Sequence, residues 1–266
     1  MNSIPALFAC IEAQEHRFQN FLARLTAQES FSLDRESVSL AAELTAAFAK
    51  ELGFSVEEHP FPRAGSGLVV SRETGSVSAP IGFVAHLDTV HPAGSFPDSL
   101  KPAPEGGLYG PGIVDCKGGV AVALLAMYAL KELGFSRPLR LLLTPDEEVS
   151  NRLTGDDGIA FLQSHVKDCA AAFVCECGKR DEAVVERKGI TKVRVDIRGR
   201  AAHAGMYYAE GISAVREAVP TPSPTTAAAS AAARRKTSSP RPARILLISV
   251  FGLRTRESAR WSTCAA

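Results

Sequence analysis

Three short stretches of this chain each end an apolar run in side chains that bind cations or move protons. Ile81 to Ala85 runs into His86-Leu87-Asp88, Leu139 to Leu143 into Thr144-Pro145-Asp146-Glu147-Glu148, and Ala170 to Val174 into Cys175-Glu176-Cys177-Gly178. Apolar runs of this length, bounded by turn residues, read as buried strands. Residues two apart in an extended segment share a face, so His86 and Asp88 point the same way. That suits a metal-bound imidazole whose other ring nitrogen is held by a carboxylate, which fixes the tautomer and raises ligand basicity. It equally suits a strand end carrying two solvated polar residues. Glu147 and Glu148 are neighbours and diverge, so one carboxylate can bind a cation while the other faces a substrate and accepts a proton. Another acid, Asp115, stands in GPGIVDCKGG just ahead of a helix, where the helix dipole favours a carboxylate. Around Glu176 two metal readings are open. Cys175 and Cys177 share one face and could act as thiolates with Cys116 nearby, or Glu176 on the other face is the ligand and the cysteines pack; we prefer the second.

These side chains need a scaffold that brings distant strand ends together. In open α/β sheets, sites form at the carboxyl ends of the strands, so the three runs could share one crevice. Ala6 to Leu25 has apolar residues at helical spacing. Asp34 is placed to cap a second helix running through Val38, Leu40, Ala41, Leu44 and Phe48 and ended by Gly53. Phe54 to Pro60 and Leu68 to Arg72 read as strands. Val120 to Leu133 is apolar nearly all round and should be buried. The Gly118-Gly119 pair before it is expected to let the backbone turn tightly at Asp115. Ile159 to His165 is a short helix. Val193, Val195 and Ile197 alternate with charged residues in a half-buried strand, followed by a helix from about Glu210 to Val219. His16, His59 and His165 read as surface histidines, and His91 lies in the loop after Asp88.

In chain order, AHLDTV, GPGIVDCKGG, PDEEVSN, FVCECG and GRAAHAG resemble the co-catalytic zinc hydrolases that include acetylornithine deacetylase, succinyl-diaminopimelate desuccinylase, aminoacylase and glutamate carboxypeptidase. The resemblance runs from about Asp34 to Ala218 and is strongest to the glutamate carboxypeptidase branch. It implies that His86 and Glu176 hold one Zn2+, that Glu148 holds a second and that Asp115 bridges both, with Co2+ as a substitute metal. It implies that Asp88 clamps His86 and that Glu147 is the general base for a metal-activated water. His203, in GRAAHAG, would reach a partner subunit's site and steady the oxyanion, a role in which one donor can contribute several kcal/mol. The implied fold is α/β, a mixed central sheet flanked by helices. It comprises a zinc-peptidase-like catalytic domain over 1–186 and the start of an inserted α+β dimerisation domain over 187–219. The implied reaction is hydrolysis of an amide bond adjacent to a free carboxylate, in a peptide or a small N-acyl amino acid, by a homodimer.

Composition narrows the partners. The chain has 266 residues, 45% hydrophobic and 22% charged, with a formal net charge of +1. That favours neither nucleic acid nor any other polyanion. Its six cysteines form no regular framework, so a reducing cytoplasm is expected. The N-terminus lacks the basic region of a signal peptide, and no run is expected to approach the about 20 apolar residues of a membrane span. After Val219 the sequence becomes rich in Ala, Ser, Pro and Arg, so 220–266 is expected to be a low-complexity tail, disordered or produced by a frameshift. No histidine follows His203, although the resemblance calls for a late one on the second zinc. Two other readings therefore stand beside the hydrolase: an inactive fragment retaining partial zinc binding, and a non-enzymatic interaction protein that uses an exposed strand edge.

Overall fold

A computed structural model describes residues 4–96, 100–102, 107–178, 183–185, 191–203, 205–214 and 243–249, with 191–197 and 243–249 as backbone. The chain divides into two units, 1–180 and 181–266.

The first unit begins with α1 (Ile4–Ala13) and α2 (Glu15–Ala27). The single helix expected over this region is broken at Gln14, so α1 lies on a later helix while α2 also packs against the one that follows it. That next helix is α3 (Arg35–Glu51), capped as its sequence demands: the Asp34 carboxylate accepts the N–H groups of Glu36 at 3.2 Å and Ser37 at 3.3 Å. Such a cap stabilises by about 1 kcal/mol. Gly53, at φ +82°, ends the helix and turns the chain into the sheet.

The sheet has five strands in the order β1-β2-β6-β3-β7, where β1 is Ser55–Pro60, β2 Ser66–Arg72, β3 Ile81–His86, β6 Leu139–Thr144 and β7 Ala171–Val174. The short strands β4 (Lys101–Pro102) and β5 (Leu108–Tyr109) pair separately. β3 runs parallel to β6 and β7, while β2 is antiparallel to β6 and to β1. Alternation along β6 sorts the core: Leu139, Leu141 and Leu143 face one cluster with α2, α3 and the following α4, and Leu142 faces Phe61, Val69 and Phe161 on the other side. Each fully buried leucine contributes roughly 1.5–3 kcal/mol.

Helix α4 (Gly118–Glu132) buries Val120, Ala121, Ala123, Leu124, Met127 and Ala129, while Val122 remains 62% exposed. With the turn before it, Ile113–Glu132 has a mean hydropathy of 1.7 and is long and apolar enough to cross a membrane, contrary to the sequence expectation. Asp115, Lys117, Lys131 and Glu132 interrupt it, so it does not read as one apolar run, and its packing on the sheet marks a core helix. Helix α5 (Asp156–Val166) covers the other face. One expectation fails at β7. Its apolar residues are not buried, and Phe173 and Val174 are 55% and 64% exposed because this strand lies at the sheet edge.

In the second unit β8 (Thr191–Ile197) pairs antiparallel with β9 (Ala243–Ser249), in register from Thr191 opposite Ser249 to Ile197 opposite Ala243. The expected low-complexity tail therefore contains a strand; its other residues lie outside those described. At the position expected to start a helix, Tyr208–Glu210 is a single 3-10 turn, and 215–219 lie outside the described residues.

Candidate metal centre

The parallel strands set the register of the site. His86, last in β3, is opposite Thr144, last in β6, and the Cys175 N–H donates to Val84 O at 2.8 Å just past β7. Three strand ends thus meet on one rim, which brings residues after them close together.

His86 is the centre of this rim and is fully buried. Its Nε2 lies 2.9 Å from Asp115 Oδ1 and 3.4 Å from Glu176 Oε1. Its Nδ1 faces the Asp88 side, 3.2 Å from the carboxylate and 3.0 Å from the backbone carbonyl. Burial opposes a charge on the ring, but hydrogen bonds to Asp88 and Cys116 outweigh it and push the imidazole pKa up to about 12. Asp88 is a buried hub. Its Oδ1 accepts the Glu147 N–H at 3.0 Å, and its Oδ2 accepts the Glu148 N–H at 3.2 Å and the Ser32 hydroxyl at 2.6 Å.

The loop after β6 is shaped by Asp146, which is fully buried and accepts the N–H groups of Leu153 and Thr154 and the Thr154 hydroxyl, each at 2.9 Å. With Glu147 and Glu148 anchored through their backbones on Asp88, their side chains diverge. Glu148 joins His86 and Asp115, whereas Glu147 is exposed. The Glu148 carboxyl is pushed up to about 7, first by burial and then by Asp115. Glu176 is also raised by burial, and further by Asp115 and Glu147, with His86 opposing.

Asp115 sits in the irregular turn Ile113–Lys117, half exposed. Of the two glycines after it, Gly118 allows the tight turn expected at Asp115, and Gly119 allows a contact across to the end of β7. A Cβ on Gly118 would lie 2.2 Å from Ile113 O, and one on Gly119 would lie 1.8 Å from Cys175 O. They permit the backbone of α4 to touch its own turn and the end of β7. Lys117, fully buried, ties the same turn to the end of α2 by donating to Gln28 O at 2.7 Å. Burial pushes its pKa down to about 8, with Glu29 opposing.

The donor set fits a divalent cation. His86, Asp115 and Glu148 form one group with ligand atoms within 4.8 Å of one another, and His86, Cys116 and Glu176 form another. Glu148 and Glu176, both raised by burial and by the neighbouring Asp115, stand around an imidazole already oriented by Asp88, and a dication would neutralise such a cluster. Ser32 and Asp146 are not singled out for these positions by the sequence, and Cys116 enters there only beside the thiolate alternative. The first two act only through contacts with distant or backbone atoms, although Asp146 lies within the quoted PDEEVSN motif. The remaining histidines play no part here: His16 contacts Asn20, His59 and His165 pack on Phe161, and His91 packs on Phe96. Cys177 is exposed, and the Cys175 thiol, pushed up to about 11 by burial, packs against the core. His203 belongs to the second unit, where its Nδ1 accepts the N–H groups of Gly205 and Met206, both at 3.2 Å.

Fold and site together define an α/β protein with a cluster of imidazole and acid side chains able to hold a cation at the carboxyl rim of its parallel strands. The chain belongs to the peptidase family M20/M25/M40, whose sequence model matches residues 82–248. That match extends past Val219, into the stretch set apart by composition. The chain is 29% identical over 204 residues to carboxypeptidase G2 of Pseudomonas sp. (strain RS-16), covering 74% of this chain and 48% of that protein. It is 33% identical over 164 residues to succinyl-diaminopimelate desuccinylase of Acidiphilium cryptum (strain JF-5), covering 57% and 42%. Among solved structures, the di-peptidase Dug1p of Saccharomyces cerevisiae shares the fold, with a TM-score of 0.58 at 16% identity over 78% of this chain and 49% of that one. The chain spans about half the length of the curated relatives it matches.

Proposed function

We propose that this chain is a metal-dependent hydrolase that cleaves an amide bond adjacent to a free carboxylate, in a peptide or an N-acyl amino acid. The observation that carries this reading is the buried imidazole of His86, held on one side by Asp88 and facing Asp115 and Glu176 on the other. His86 and Glu176 would hold one Zn2+, Glu148 the second, and Asp115 both. Zinc bound there would polarise the scissile carbonyl and lower the pKa of water to about 7. Asp88 keeps the ring in the tautomer that presents Nε2 to the cage. Glu147, exposed and outside both donor groups, is placed to take a proton from water and hand it to the leaving nitrogen. His203 of a partner subunit would donate to the developing oxyanion, as the family resemblance suggests. Similarity to carboxypeptidase G2 favours a carboxypeptidase, and similarity to the desuccinylase favours an N-acyl substrate.

One observation supports a second reading. Among the described residues Glu148 groups only with His86 and Asp115, donors that a first ion would share. A chain that binds one cation without turnover would follow. Metal analysis of purified protein, together with hydrolysis assays on N-acyl amino acids and on peptides ending in glutamate, separates the two. Two zinc ions with turnover, both lost in His86→Ala, is the expected result. One zinc without turnover supports the second reading, and protein that retains no metal rejects both.

A further inference from the structure

The cage contains a donor that the hydrolase reading leaves idle. The Cys116 sulfur belongs to the group with His86 and Glu176 whose ligand atoms lie within 4.8 Å of one another. It is fully buried and held in place, accepting the His86 N–H at 3.1 Å and facing His86 O at 3.4 Å. No other cysteine among the described residues belongs to a donor group. Cys175 Sγ is directed at Phe173 O, and Cys169 Sγ at His165 O.

We propose that Cys116, His86 and Glu176 form a coordination site for a soft divalent cation of the Cd2+ type, which occupies and blocks the cage. This rests on the reading that His86 and Glu176 hold a cation. Thiolate is the soft ligand among the protein donors and selects soft cations over harder ones, whereas imidazole and carboxylate discriminate less. Asp115 Oδ1 is 2.9 Å from the same imidazole but belongs to the other donor group, with His86 and Glu148. A soft cation drawn onto the sulfur takes up the imidazole and the Glu176 carboxylate that the hydrolase reading assigns to a catalytic metal, and it is inhibitory for that reason. The chemistry balances without redox: the thiol and the imidazole each release a proton to the buffer, and a sulfur–metal bond replaces the contact from the thiol to His86 O. The resulting thiolate and the Glu176 carboxylate match the two charges of the cation.

The test is a titration of the metal-stripped 266-residue protein with Cd2+, read by the ultraviolet sulfur-to-cadmium charge-transfer band, with Co2+ titrated in parallel through its visible spectrum. The wild-type protein should show the band at one equivalent, and it should persist when Cys175 and Cys177 are both changed to alanine. In Cys116→Ser the band should vanish, and the preference for Cd2+ over Co2+ should fall at least about tenfold. That is the lower end of what losing an outer-sphere partner costs in metal affinity, and a direct donor should cost no less. A band that survives in Cys116→Ser, or vanishes in the Cys175 and Cys177 variant, overturns the inference. Cadmium X-ray absorption on the wild type needs no variant: one sulfur neighbour supports the inference and none overturns it. Co2+ binding without a Cd2+ thiolate band would sink this inference alone, whereas binding of neither ion would sink the hydrolase reading with it.

Discussion

The two ends of the rim are built differently. At the β3 and β6 end, His86 and Asp88 are fully buried, and Asp88 ties together a hydroxyl from residue 32, two backbone N–H groups from the 147–148 loop and the imidazole. At the β7 end, Glu176 follows a strand whose Phe173 and Val174 stand open, and Asp115 is half exposed on an irregular turn. The first end fixes the imidazole through buried contacts. The second supplies negative charge on parts with more freedom to adjust. Preorganisation therefore resides in the sheet interior, and adaptability at its edge.

If that division holds, substitutions at the interior end should cost folding stability as well as metal affinity, and those at the edge should cost affinity alone. The largest effect belongs to Asp88→Ala, which breaks a buried charged pair and strands two N–H groups. We expect a loss of about 3–5 kcal/mol in urea unfolding together with loss of metal uptake; a change under about 1 kcal/mol would show the hub to be passive. Next, Leu141→Ala in the core should cost about 2–5 kcal/mol, while Phe173→Ala at the edge should cost under about 1 kcal/mol. Equal losses in the two melts would erase the contrast. Ser32→Ala removes one charge-assisted hydrogen bond, about 1.5 kcal/mol. It should also weaken zinc binding by roughly tenfold, as loss of an outer partner does; calorimetry would reveal either failing alone. The smallest stability change should come from Glu176→Gln. The acid at 176 is raised by burial and by Asp115 and Glu147, so neutralising it should leave stability within about 0.5 kcal/mol or raise it slightly. Zinc affinity should nevertheless fall, and a destabilised but fully metal-binding variant would invert the scheme.

Much of the rim could be read in advance because its chemistry is local. His86, Asp88, Glu147, Glu148 and Glu176 directly follow or end apolar strands, and strand ends in an α/β sheet converge by topology. The α3 cap at Asp34 was legible for the same reason. Contacts made across the chain were not. Nothing about Ser32 announces a partner 56 residues away, and Cys116 reads as packing until its sulfur is seen against the His86 backbone. The apolar run at 171–174 looks identical whether a strand is central or at an edge, so its exposure depends on strand order, which the sequence does not display. The break at Gln14 and the pairing of Ala243–Ser249 with β8 depend likewise on packing and partner choice rather than local pattern.

The missing side chain at position 119 acts as a gauge. Because the first turn of α4 rests directly on the carbonyl of Cys175, with no room for even one methyl group, the backbone contact sets the gap between the helix that follows Asp115 and the strand that precedes Glu176. Gly119→Ala would act as a shim there, spreading the two acids without altering either. A graded series of shims, read through the size of ion that the protein prefers, would calibrate the aperture.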